Sequence, residues 1–435
     1  MNDLHTVDTR CISPGVNLTC INTDKFKTGC MSVNLISGLR RGVASSTALL
    51  PRVLRRGSVE YPDMERVSSA LDDLYGSRVE PIVRKKGELH NIGFYLDFPD
   101  ERYIPSDGDI LEKTASLTGG LLLSPVMSDG LFRSDYVESE KKNLIDDIRA
   151  SINDKRGYAV DRLLEEMCAQ EAFGVNRLGS ESEARAITPE SLTARYHELI
   201  SNTNIELLYC GAAEPARVSD ALSGALLGLP ARADVKPPET QVVLYPSHDA
   251  PVRITERLDV SQGKLTVGFR LGKAMKTTPD YPALMVFNAI FGSGVTSKLF
   301  LNVREKLALC YYASSSLEKN KGIMIVSSGV DFANFEIALE EIMTQLDCVR
   351  NGDVSDFELV SAKRSVVTAI KSAMDRPSGL LDLYFDSILS SVRYDPNDLC
   401  GLVEKVTLDS VVETASEIKA DTVYFLEGEV GNDAV

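Results

Sequence analysis

At 435 residues the chain is too long for one ordinary core, so two to four domains are expected. Hydrophobic residues at 43% and charged residues at 25% describe an ordinary soluble globular chain rather than a disordered one. A formal net charge of -16 argues against a nucleic-acid partner, and the short basic clusters at 39–41, 54–56 and 84–86 read as solvated faces.

The first residues, "MNDLHTVDTRC", have neither a basic region nor an apolar stretch, so no signal peptide is expected. No apolar run approaches the roughly 18 residues that span a bilayer, and no membrane association is expected. The eight cysteines (11, 20, 30, 168, 210, 310, 348 and 400) include no C-x-x-C pair, and several lie in apolar runs such as "LLYCG". That usage suits a reducing cytoplasm rather than a disulfide framework. The four histidines (5, 90, 197 and 248) are far apart, with no pair at helical ligand spacing. No Cys/His spacing supports an enzyme built on other chemistry.

In chain order, "KTGCMSVNLISG" (27–38) is strand-like and "ALLPRVLRRGS" (48–58) is helical, with Leu49, Leu50, Val53 and Leu54 as its core face. Pro51 is expected to start that helix late or to kink it, because proline lacks the N–H and clashes one turn back. A strand follows at 86–98, then a long helical pattern over 133–167 with a break about twenty residues in. A Thr-capped helix and a closing strand occupy 186–211. Five prolines in 229–251 mark a linker. Beyond it the same order returns: strand 263–272, strand 321–332, broken helix 354–388, and Thr-capped helix plus strand 405–428. Four matches in the same order, offset by about 220 residues, indicate a duplicated α+β domain. The expected division is 1–228, the linker 229–251, and 252–435.

The segment "PDYPALMVFNAIFGSGVTSKLFLNVREKLALCYYASSS" (279–316) carries a helix, a turn at Gly292 and Gly294, and a run that keeps Ser297, Lys298, Leu299, Phe300, Val303, Arg304, Glu305, Lys306, Leu309 and Tyr311. "GSGVTSK" is not a phosphate loop, since it lacks the G-x-x-x-x-G-K-[ST] spacing. With the twofold repeat, this run resembles the pitrilysin/insulinase metallopeptidases. The resemblance implies two homologous domains, each an antiparallel-rich sheet packed with helices, arranged as a clamshell. Ala308 departs from the pattern, where the family often has glycine.

Catalytic members carry H-x-x-E-H on an early helix: two histidines bind zinc and the glutamate activates the bound water. Anchored on "RRGS", the resemblance puts Ala48 and Arg52 at the histidines and Pro51 at the glutamate. Asp147 stands at the downstream carboxylate ligand, with Glu140 two turns earlier on the same face. Alanine and proline cannot ligate, and Arg52 sets a permanent cation where zinc would sit. No metal or other cofactor is expected in this chain. Arg52 and Asp147 are expected to pair across the old site, whereas Glu140 reads as a solvated helix charge.

In two-chain members one subunit bears the zinc motif and the other supplies substrate-binding residues from its second half. Arg304 and Tyr311, seven residues apart, match that pair, against the plainer alternative of a surface ion pair and an ordinary strand aromatic. The resemblance therefore implies a non-catalytic, substrate-binding subunit, inactive alone. Its partner would be a homologous zinc-bearing subunit, zinc being expected only there, and its substrate an extended peptide. The alternative is a peptide- or protein-binding scaffold, homodimeric or not, acting without proteolysis. Zinc-less members of this length are linked to 5-aminopentanol modification of elongation factor P.

Overall fold

The computed structural model describes residues 5–105, 108–273, 280–390 and 394–428. The outer ends of the two sequence halves (1–4 and 429–435) and Pro279 of the matched run lie outside them. The first half carries β1 (Thr6–Ser13), β2 (Val16–Asn22), β3 (Thr28–Gly38), α1 (Ala44–Leu54), α2 (Met64–Asp73), β4 (Arg78–Lys86), β5 (Leu89–Pro99) and α3 (Ile110–Leu123). There follow the short ribbon β6 (Met127–Ser128) and β7 (Leu131–Phe132), α4 (Ser134–Ala150), α5 (Lys155–Met167), α6 (Glu181–Arg185), α7 (Pro189–Asn202), β8 (Asn204–Gly211) and α8 (Pro215–Ala225). The second half carries β9 (Val252–Leu258), β10 (Gly263–Arg270), α9 (Asp280–Phe291), β11 (Cys310–Glu318), β12 (Ile323–Val330), α10 (Phe335–Arg350), α11 (Asp356–Met374), α12 (Pro377–Leu389), α13 (Pro396–Glu404), α14 (Leu408–Glu417) and β13 (Lys419–Gly428).

The architecture is α+β, and the duplication extends to sheet topology. The first sheet runs β1-β2-β8-β3-β5-β4 and the second, read from its β9 edge, β9-β13-β10-β12-β11. Each has one parallel pair, β2 with β8 and β9 with β13, and is otherwise antiparallel. The first merely adds β1 outside. Strands flanked on both sides, such as β8 and β12, are buried at every position, as sheets covered by helices require. The repeated threonines do the same work twice. Thr188 and Thr407 each cap their helix by accepting from the backbone N–H three residues on, and Ser191 and Ser410 complete a capping box.

Two compact units are present, and they interleave the sequence halves. The first comprises 1–149, 175–239 and 374–385; the second comprises 150–174, 240–373 and 386–435. Within the second unit, α5 lies on the sheet: Ala159, Leu163, Leu164 and Met167 pack with Ile323, Ile325, Tyr424 and Leu426. Glu256 on β9 accepts from Tyr158 at 2.6 Å and pairs with Arg162 at 3.2 Å. Within the first unit, 374–385 is tied to the sheet side by Lys25–Asp375 at 2.8 Å, Arg84–Asp382 at 2.6 Å and His5–Tyr384 at 2.7 Å. The break in each long helical pattern is where the chain passes from one unit to the other.

Candidate functional site

Helix α1 begins at Ala44, seven residues before Pro51, and continues to Leu54. The expectation of a late start is thus corrected. Pro51 sits near the end of the helix, where its missing N–H removes a single ladder bond, and Arg55 N–H still donates to the Pro51 carbonyl at 3.1 Å. The proline costs about 3 kcal/mol. Leu49, Leu50, Val53 and Leu54 are all essentially buried, and at about 1.5–3 kcal/mol each they outweigh it. Gly57 then ends the run at φ +156°, where an added Cβ would lie 2.6 Å from the Tyr61 carbonyl oxygen. That close approach requires glycine and fixes Arg55 and Arg56 at the helix end.

The positions that the resemblance assigns to the metal site hold a packed, paired arrangement. Ala48 and Pro51 are buried with nothing to offer an ion. Arg52 Nη1 lies 2.7 Å from Asp147 Oδ2 on α4, so the expected pair is present. Among the described residues no three His, Cys, Asp or Glu side chains converge as metal ligands. Zinc does not fit this donor set.

Glu140 departs from its expectation as a solvated charge. Its side chain is only 12% exposed; it pairs with Arg56 Nη1 at 3.1 Å and accepts from Asn143 Nδ2 at 3.2 Å. The Arg56 guanidinium also lies 4.8 Å from the Tyr136 ring centroid. Arg55 Nε donates to the Val79 carbonyl on β4 at 2.7 Å, and its Nη2 is 3.9 Å from Glu80. Together these residues border a cavity of about 410 Å³ lined by Arg52, Arg55, Arg56, Met64, Pro81, Val83, Glu140, Asn143, Asp147 and Arg177. The basic cluster at 54–56 is therefore a cavity wall and not a solvated face. Sequence reasoning missed Arg55, Arg56 and Arg177; the one available signal was two arginines at the end of an apolar helix.

In the second unit the matched run is irregular at three consecutive places. Residues Leu299–Lys306 form a π-helical turn, closed by Leu307 N–H donating to the Asn302 carbonyl at 3.1 Å. Leu299 and Val303 anchor it in the core, and Lys298 pairs with Glu358 at 2.9 Å. Ala308 next adopts φ +49°, a left-handed conformation that favours glycine and accounts for the glycine common there in the resembling family. Tyr311 then falls at a bulge: Cys310 pairs with Val330 and Tyr312 with Gly329, leaving Tyr311 unmatched on the edge strand β11. Its side chain is 67% exposed. Arg304 lies 4.7 Å over the Phe300 ring, with Nη1 3.5 Å from Glu305, so a loose surface pair is present. Gly292 completes the turn, because a Cβ there would meet Ser315 Oγ at 2.5 Å.

The family described as "Peptidase M16 inactive domain" matches residues 186–366. The "Probable inactive metalloprotease YmfF" of Bacillus subtilis (strain 168) is 33% identical over 422 residues, covering 96% of this chain and 97% of that protein. A conserved protein from Enterococcus faecalis V583, known as a crystal structure, superposes with a TM-score of 0.89 at 27% identity, over 98% of this chain and all of that one. A Pseudomonas fluorescens protein described as a peptidase M16 inactive domain shares the fold, with a TM-score of 0.78 at 15% identity over 99% of this chain and 100% of its own. A Bacillus subtilis relative 20% identical over 375 residues, 84% of this chain and 85% of its own, bears the name "Uncharacterized zinc protease YmxG". With 33% identity to YmfF along nearly its whole length, the chain belongs to the M16 (pitrilysin/insulinase) peptidase family as an inactive-type member.

Proposed function

We propose that the protein is a non-catalytic subunit that holds an extended peptide for a homologous, zinc-bearing partner. The observation that carries this reading is the run of irregular backbone between Leu299 and Tyr312. A π-helical turn, a left-handed alanine and a bulge each cost stability, and such features concentrate where a protein contacts ligand. Arg304 and Tyr311 emerge from it with their polar ends outside the core. A guanidinium and a phenol both donate to a peptide carbonyl, and more strongly to an oxyanion as charge develops. The edge strand β11 contains no proline, so it can add a peptide strand through its backbone. At the corresponding edge of the first sheet, Pro81 in β4 removes one donor.

The test mixes the purified chain with a zinc-bearing homologue from the same genome and follows cleavage of a peptide library. The chain alone should cleave nothing, and the mixture should be active. Arg304→Ala or Tyr311→Phe should lower kcat/KM by about 10- to 100-fold, the range for losing one donor to developing charge. An inactive mixture, or indifferent variants, would sink the clamp. An inactive mixture that still binds peptide would favour the second reading, a scaffold in a protein-modification pathway such as that of elongation factor P. The Arg52–Asp147 pair, at positions that the resemblance gives to metal ligands, supports that alternative.

A further inference from the structure

The cavity at the end of α1 has more positive charge than its own carboxylates engage. Four arginines line it, Arg52, Arg55, Arg56 and Arg177, against two carboxylates, Glu140 and Asp147. Each carboxylate is already committed: Asp147 to Arg52 at 2.7 Å, and Glu140 to Arg56 at 3.1 Å. Arg55 has only a distant carboxylate, Glu80 at 3.9 Å, and Arg177 makes no ion pair among the described residues. The Arg56 Nε is enclosed with no acceptor among the described residues.

We propose that this cavity binds the phosphate dianion of a small molecule. Two surplus guanidiniums match a double negative charge, and their planar forks each offer paired N–H groups to phosphate oxygens. The volume of about 410 Å³ is that of a small-molecule pocket rather than a macromolecular groove. In a chain with net charge -16, such a local excess of cations is not a by-product of general basicity. Its residues all belong to the first unit, whereas Arg304 and Tyr311 of the proposed peptide clamp belong to the second.

The experiment titrates inorganic phosphate into the full-length protein by calorimetry, with sodium chloride holding ionic strength constant, and follows Tm in parallel. Wild type should bind one phosphate per chain and gain thermal stability. The double variant Arg55→Gln/Arg177→Gln should bind at least about tenfold more weakly, as expected for lost charged hydrogen bonds. Arg253→Gln, which removes an exposed arginine of the second unit, should bind like wild type. Should the double variant fail to fold, Arg177→Gln alone carries the comparison, since that exposed side chain makes no ion pair among the described residues. Binding no stronger than that of chloride, or equal binding by wild type and the arginine variants, overturns the proposal. A phosphoserine peptide that binds while free phosphate does not would overturn the small-molecule assignment.

Discussion

His90 shows how one buried side chain can set the acid limit of the fold. It lies on β5, 1% exposed, and its Nε2 has no partner among the described residues. Burial, reinforced by the nearby charge of Arg195, lowers its pKa from 6.5 to about 4. The folded chain therefore refuses a proton that the unfolded chain accepts. Stability is fully present above pH 6.5, falls as pH drops from about 6.5 to about 4, and levels off below that range, with a total loss on the order of 3 kcal/mol. Urea midpoints measured at pH 7, 5.5 and 4.5 should fall steeply for wild type and flatten in His90→Gln. Parallel curves for the two proteins would remove His90 as the cause. The sequence marks His90 only as isolated, because burial depends on β5 lying between β3 and β4.

Between elements, α1 and the turn after it are joined to α4 by two ion pairs of unequal weight. Arg52–Asp147 leaves the carboxylate 54% exposed, so solvent screens it, whereas Glu140 is 12% exposed and holds two donors. Asp147→Asn should cost less than about 1 kcal/mol. Glu140→Gln leaves the partly buried Arg56 without its counter-charge and should cost about 2 kcal/mol, read by urea denaturation at pH 7. Equal losses would show that the burial difference does not govern the pair. Much of this level is legible in the sequence. The Thr188 and Thr407 caps, the apolar face of α1 and the paired strands follow from local chemistry and period. The run through Pro51 was misread because α1 is held by buried leucines and not by its full ladder. The cavity was missed because Arg177 and Glu140 are distant in sequence from Arg52, and only packing brings them together.

For the whole molecule, the repeat is plain in the sequence but its interleaving is not. A helical period shows that α5 and α12 have an apolar side; it does not say which sheet receives it. Residues 150–174 serve the second unit and 374–385 the first, so a cut in the 229–251 linker leaves each half lacking one element of its own unit. Fragments 1–228 and 252–435 expressed separately should each lack a cooperative unfolding transition, and co-expression should restore one. An isolated 1–228 fragment that unfolds cooperatively would show that 374–385 is dispensable to the first unit.

The same interleaving sets a clock on biosynthesis. The first unit cannot close until residues 374–385 have left the ribosome, although the rest of it ends at residue 239. At elongation rates of about 5–20 residues per second that gap is on the order of 10 s. During it, apolar surface destined for this late segment stays open to water, and nascent chains stand at their greatest hazard of sticking to one another. The late arrival of this segment therefore prolongs the exposure of the first unit beyond what its own first 239 residues would require.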